Sequence, residues 1–211
     1  MSTKNCVLVL SGSFNPPTNA HLSLISMARN AVEEHGYKVV AARMVPTHGT
    51  YDKPGLASPV ERTEMCRRAC SGSSWITVDT FEVDQPNWTD CLTSLKHQQS
   101  GFPDCRIFYI CGSDLVMRWN EPVWPDEEVI EILTDFGVCM FSRNVPIETI
   151  AEQVPVLKGR LQNVIMAGDN PMLGLSSTFV RNYIQKGLKI AGFVPQAVED
   201  YIEEKKIYQP K

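Results

Sequence analysis

The chain has 211 residues, 43% of them hydrophobic, and a formal charge of −4. That length supports one sizeable core, and residues 1–211 are expected to form a single domain. The slightly acidic balance, with lysines and arginines scattered, offers no footprint for a nucleic-acid polymer. No apolar stretch approaches the ~20 residues that a bilayer demands. The apolar run Cys6–Leu10 is too short for a signal peptide, so a soluble intracellular protein of the cytoplasm or nucleus, with no membrane partner, is expected.

Cys6-Val7-Leu8-Val9-Leu10 is a continuous apolar run and reads as a strand buried on both faces of a parallel sheet. A loop of glycine, proline and small polar residues follows, and then His21, Leu24, Ile25, Ala28, Ala31 and Val32 recur at helical spacing, with Gly36 as the stop. In the loop, Gly12 is expected to take a backbone angle that other residues resist, while Pro16 and Pro17 stiffen the chain. A strand, a tight loop and a helix start together present unpaired N–H groups to an anion, with His21 in the first turn. On local grounds His21 could equally be a core histidine, since it shares a face with Leu24 and Ile25.

Further along, residues 38–45 read as a second strand ended by Pro46, followed by a Gly- and Pro-rich loop from Thr47 to Ala57. Ser58-Pro59-Val60-Glu61 is a capping-box pattern that predicts a helix to about Ser71. Residues 75–79 give a third strand, Pro86-Asn87-Trp88 opens a helix ending near Gly101, and 106–111, 137–141 and 162–167 are further strands. Residues 177–186 and 195–206 form a C-terminal helical segment. Strand and helix alternate, so the expected fold is α/β: a Rossmann-like open parallel sheet with helices on both faces. Ligands of such sheets bind beyond the carboxyl ends of the strands.

The seven cysteines read as reduced thiols, with Cys6, Cys105, Cys111 and Cys139 in apolar strand-like runs. Cys66 and Cys70, four apart, lack the partners a zinc site needs.

The segment Gly12-Ser13-Phe14-Asn15-Pro16-Pro17-Thr18-Asn19-Ala20-His21 resembles the first signature of the nicotinamide mononucleotide adenylyltransferases, within the nucleotidylyltransferase superfamily. Ser176-Ser177-Thr178-Phe179-Val180-Arg181 is similar to the second, and the match covers nearly the whole chain. The resemblance implies transfer of the adenylyl group of ATP to nicotinamide mononucleotide or nicotinate mononucleotide, giving NAD or deamido-NAD and pyrophosphate. It implies Mg²⁺ bound mainly through the ATP phosphates. His21, Lys53 and Arg181 would then be the catalytic cations.

By the same resemblance Gly12, Ser13, Phe14 and Thr18 belong to the nucleotide-binding loop, and Ser177 and Thr178 bring hydroxyls to a phosphate. Trp88 and Trp124 correspond to tryptophans that meet the pyridine ring, with Trp75 and Trp119 as support. Gly112 and Asp114 match a segment that admits nucleotide and accepts ribose hydroxyls, and Arg143 corresponds to an arginine near the mononucleotide phosphate. Locally, Asp114 reads equally as a helix cap, Ser177 and Thr178 as an ordinary capped helix start, and Lys53 as a solvated lysine. Cys91 stands where the family usually has threonine, and residues 168–175 do not align cleanly with its adenine contacts.

Two other readings remain open: a nucleotidylyltransferase for a different phosphorylated small molecule, or a nucleotide sensor without turnover. Trp88 and Trp124 weigh against the first, because such acceptors have no flat ring to stack. A homo-oligomer is compatible with the sequence, which does not reveal oligomeric state.

Overall fold

The computed structural model describes residues 4–50, 55–142, 145–169, 171–172 and 174–209. Their elements run β1 Lys4–Gly12, α1 Asn19–Glu34, β2 Tyr37–Pro46, α2 Pro59–Cys70, β3 Ile76–Val78, α3 Phe81–Asp84, α4 Cys91–Gly101 and β4 Arg106–Gly112. The chain continues through α5 Ser113–Val116, α6 Asp126–Asp135, β5 Gly137–Phe141, α7 Ile147–Gln153, β6 Val164–Met166, α8 Ser177–Gln185 and α9 Gln196–Lys205. Three short 3₁₀ turns, Met117–Asn120, Pro155–Leu157 and Leu161–Asn163, complete the order.

The strands form one six-stranded sheet in the order β3-β2-β1-β4-β5-β6, with helices on both faces. β1 pairs β4 in parallel with Cys6 opposite Arg106, and β4 pairs β5 with Phe108 opposite Gly137. Strand order reverses between β1 and β4, the place at which open α/β sheets bind ligands.

By contact density the chain divides into two compact units. The first comprises residues 1–10, 24–42 and 90–171. Its core is made of strand residues such as Val7, Leu8, Ile107, Ile110, Val138 and Met140, all essentially without solvent exposure. The continuous apolar runs in the sequence follow from this burial on both faces, each such side chain contributing about 1.5–3 kcal/mol.

The second unit comprises residues 11–23, 43–89 and 172–211. Its core gathers Met65, Val180, Ile190, Val194, Val198, Tyr201, Ile202 and Ile207, with the rings of Phe179, Tyr183 and Phe193 packed against it. Those rings meet at centroid distances of 4.4–5.4 Å. The capping box forms as the sequence indicates. Ser58 Oγ accepts the Glu61 N–H at 3.2 Å, and the Glu61 carboxylate accepts the Ser58 N–H at 2.9 Å.

Three readings need correction. The helix expected from Pro86 begins at Cys91, because Asp90 is its cap: the Asp90 carboxylate accepts the Thr93 N–H at 2.7 Å, and Asp90 itself has extended backbone angles. Helices α6 and α7 have no clear signal in the sequence. In α6 the apolar positions Val129, Ile132 and Leu133 follow an acidic first turn, which masks the periodicity. Cys105 lies in a bend before β4 and is half-buried rather than a strand residue.

Candidate active site

Within the second unit the residues between β1 and α1 form a loop whose carbonyls are held by the protein itself. The Gly12 oxygen accepts the Thr47 N–H at 3.0 Å, the Ser13 oxygen accepts Arg62 Nη1 at 2.9 Å, and the Asn15 oxygen accepts Arg181 Nη1 at 2.9 Å. The Pro16 oxygen accepts the Ser177 hydroxyl at 2.8 Å, and the Thr18 oxygen takes the His21 N–H at 3.0 Å. Lone pairs committed in this way are turned from any ligand. In a planar trans peptide the N–H points opposite to the C=O, so seating the Ser13 oxygen on Arg62 aims the Phe14 N–H away from Arg62. At the start of α1 the Thr18, Asn19 and His21 amides are already engaged, by His21 Nδ1, the Phe193 oxygen and the Thr18 oxygen, so the unpaired N–H groups expected there are not found at these three positions.

Phe14, and not Gly12, takes the left-handed backbone, at φ 42°. Gly12 has an ordinary φ, and a Cβ there would meet the Phe14 ring at 3.4 Å, an ordinary contact. The conformational role expected of Gly12 is thus carried two residues later, where the fully buried Phe14 ring pins the turn. That ring also meets the His21 imidazole edge-on at 5.2 Å.

His21 is oriented by its neighbour Thr18. The Thr18 N–H donates to His21 Nδ1 at 2.9 Å, and the Thr18 hydroxyl lies at the same distance from that nitrogen. A ring nitrogen that accepts an amide N–H carries no proton, so the neutral imidazole holds its proton on Nε2 as a donor. Thr18, fully buried, is spent on this task.

Asn15 is the node of the loop. Its Nδ2 donates to the Gly55 oxygen at 2.9 Å, and its Oδ1 accepts the Ala57 N–H at 2.9 Å and the Tyr208 hydroxyl at 2.6 Å. Burial pushes the Tyr208 phenol above its usual value, with Arg181 opposing, so it remains a protonated donor.

Arg62, on α2, has 0% exposure and spreads its guanidinium over three carbonyls: Ala57 at 3.1 Å, Ser13 at 2.9 Å and Thr47 at 2.7 Å. Burial lowers its pKa from the usual guanidinium value. The sequence gives Arg62 no distinction, because Glu61-Arg62-Thr63-Glu64 reads as a solvated helix turn. Its burial depends on carbonyls from two distant loops. The guanidinium's spread, planar donors let one side chain reach all three carbonyls.

Arg181 donates from Nη2 to the Thr178 hydroxyl at 3.2 Å as well as to Asn15. Ser176 is the cap of α8, accepting the Phe179 N–H at 3.1 Å, and the Ser177 hydroxyl is spent on Pro16 rather than pointed at a ligand. The structure thus brings Ser13, Phe14, Thr18, His21, Ser177, Thr178 and Arg181 into one network. Trp88 belongs to the same unit and is 50% exposed.

Gly112, Asp114 and Trp124 belong to the first unit. A Cβ at residue 112 would collide with the Asp114 carboxylate, so glycine lets that carboxylate fold back over the end of β4. Trp124 is half-buried and rests on the buried Trp119 at 6.2 Å with the rings tilted by 52°. Lys53 and Arg143 lie outside the described residues. Among the described residues no group of three or more His, Cys, Asp or Glu side chains is placed to hold a metal, and no helix is long and apolar enough to cross a membrane.

An open parallel sheet whose strand order reverses beside β1 is the architecture of nucleotide-handling α/β proteins, and a cytidylyltransferase-like family model matches residues 9–183. The chain is 34% identical to the nicotinamide/nicotinic acid mononucleotide adenylyltransferase of Oryza sativa subsp. japonica, over 96% of this chain and 86% of the relative. It is 32% identical to the protein of that name from Arabidopsis thaliana, over 97% of this chain and 91% of the relative. The solved nicotinic acid mononucleotide adenylyltransferase of Plasmodium falciparum complexed with NaAD shares the fold, with a TM-score of 0.72 at 20% identity and 97% of each chain covered. The chain belongs to the cytidylyltransferase-like family and, within it, to the nicotinamide/nicotinic acid mononucleotide adenylyltransferases.

Proposed function

We propose that the protein transfers the adenylyl group of ATP to nicotinamide mononucleotide and to nicotinate mononucleotide, releasing pyrophosphate and forming NAD or deamido-NAD. The observation that carries this is the joining of the two signature segments: Arg181 and Ser177 each donate to main-chain oxygens of the Asn15-Pro16 turn. The names of the relatives supply the acceptor.

The reaction needs no protein nucleophile. A 5′-phosphate oxygen of the mononucleotide attacks the α-phosphorus of ATP, forming one P–O bond while the bond to the β-phosphate oxygen breaks in line, and pyrophosphate leaves with that electron pair. Bringing two anions together and stabilising the leaving charge is the difficulty, and fixed donors meet it without reorganising. His21 acts as a donor through Nε2–H, held by Thr18, and Arg181 supplies positive charge; Lys53 adds a third cation in this reading. The loop amides oppose repulsion between the phosphates. Trp124 and Trp88 offer ring faces to the pyridine, Gly112 and Asp114 receive a ribose, and Arg143 holds the mononucleotide phosphate.

A magnesium ion fits this chain as one carried on the triphosphate, because Mg²⁺ keeps several waters, binds phosphate oxygens and needs few protein ligands. When bound it would neutralise charge on the departing pyrophosphate. Residues 1–211 act in this account as one nucleotidylyltransferase domain, in an intracellular protein.

The reading is tested by following pyrophosphate release from ATP with nicotinamide mononucleotide, nicotinate mononucleotide or phosphopantetheine. Release with either pyridine nucleotide alone is expected. Release only with phosphopantetheine, or binding of ATP with no release in any mixture, would contradict it.

A further inference from the structure

We infer that Tyr208 is a positioning residue for the anion-binding loop, acting through Asn15 from the far end of the chain. This rests on the adenylyltransferase reading. Lys206 and Tyr208 take left-handed backbone angles, φ 53° and 64°, after α9. A bulky aromatic residue adopts that region only where its surroundings impose it, and such sites cluster where geometry matters. Between them Ile207 is anchored in the apolar core of the unit. The two turns thereby carry the Tyr208 hydroxyl to Asn15 Oδ1, 2.6 Å away and 193 residues earlier in sequence.

Asn15 is fully buried and gripped at both ends. Its side chain is held by Tyr208, Ala57 and Gly55, and its main-chain oxygen is the seat of Arg181 Nη1. A shift of the carboxamide therefore moves the oxygen that orients the Arg181 guanidinium. Packing in the C-terminal core requires only the tyrosine ring. The hydroxyl is needed for the bond to the loop.

Tyr208→Phe removes that hydroxyl and keeps the ring. The expected result is a fall of about tenfold in kcat/KM for ATP, the size of one well-formed hydrogen bond, with Tm within about 4 °C of wild type. In an Asn15→Ala background the same change should alter kcat/KM by less than about twofold, because the route is already cut. Equal losses in both backgrounds, or no loss in the single variant, would overturn the inference. If Asn15→Ala does not fold, amide hydrogen exchange at Ala57 decides. Exchange faster in Tyr208→Phe than in wild type supports the role, and an unchanged rate overturns it. Wild-type protein that releases no pyrophosphate would sink the adenylyltransferase reading, and the Ala57 exchange would then judge Tyr208 separately.

Discussion

Arg181 donates from Nη1 to the main-chain oxygen of Asn15 at 2.9 Å, which ties together two segments 166 residues apart. The bond fixes the guanidinium against the loop that follows β1. Arg181→Lys keeps the charge and loses the fork that spans Asn15 and Thr178. A loss of roughly 10²–10³ in kcat is expected, as for removal of a single preorganised donor. Steady-state kinetics checks this, and a variant within a factor of about three of wild type would remove Arg181 from the reaction.

His21→Ala should fold normally and lose most turnover. The imidazole is half-buried and its Nδ1 is occupied by Thr18, so in the proposed reaction the donor would be Nε2–H. Circular dichroism and turnover measured on the same preparation separate the alternatives. An unfolded variant, or a fully active one, would make His21 a packing residue.

Arg62→Met tests stability. Removing the guanidinium leaves the Ser13, Thr47 and Ala57 oxygens buried without their charged donor, a loss of roughly 3–5 kcal/mol. Urea unfolding should show a correspondingly lower midpoint. Arg62→Lys should recover only part of it, since an ammonium cannot serve three acceptors in one plane. A midpoint unchanged in Arg62→Met would mean that the three carbonyls find other donors.

Burial raises the thiols. Cys6 and Cys139 are pushed up to about 12 and Cys70 to about 11, while Cys66 and Cys111 also lie well above the usual value near 9. In the unfolded chain these groups ionise near the usual value. The folded protein therefore binds more protons in that window, and the stability these thiols contribute, fully present below about pH 9, is lost as pH rises from about 9 towards 12. Urea midpoints should be lower at pH 10.5 than at pH 8. Equal midpoints would contradict the assigned burial of the thiols.

Much of the fold is legible because its signals are local. Cys6–Leu10 and Gly137–Phe141 read as strands since both faces of each are buried, and Ser58 with Glu61 announces a helix start within four residues. Pro86-Asn87-Trp88 looks like a helix start, whereas the Asp90 carboxylate sets the start at Cys91. At the site, sequence motifs pick out residues that resemble a family's signatures. They do not reveal what holds them. Arg62, Asn15 and Tyr208 gain their importance from bonds spanning 40 to 193 residues, and no local periodicity encodes such partners. Ser177 illustrates the converse: a hydroxyl suited to phosphate is used to brace Pro16.

The most direct measurement uses ATP labelled in either its α- or its γ-phosphate, incubated with nicotinamide mononucleotide and the wild-type protein. The α-label is expected in the dinucleotide and the γ-label in pyrophosphate. Appearance of γ-label on the mononucleotide, or no transfer of α-label, would contradict adenylyl transfer.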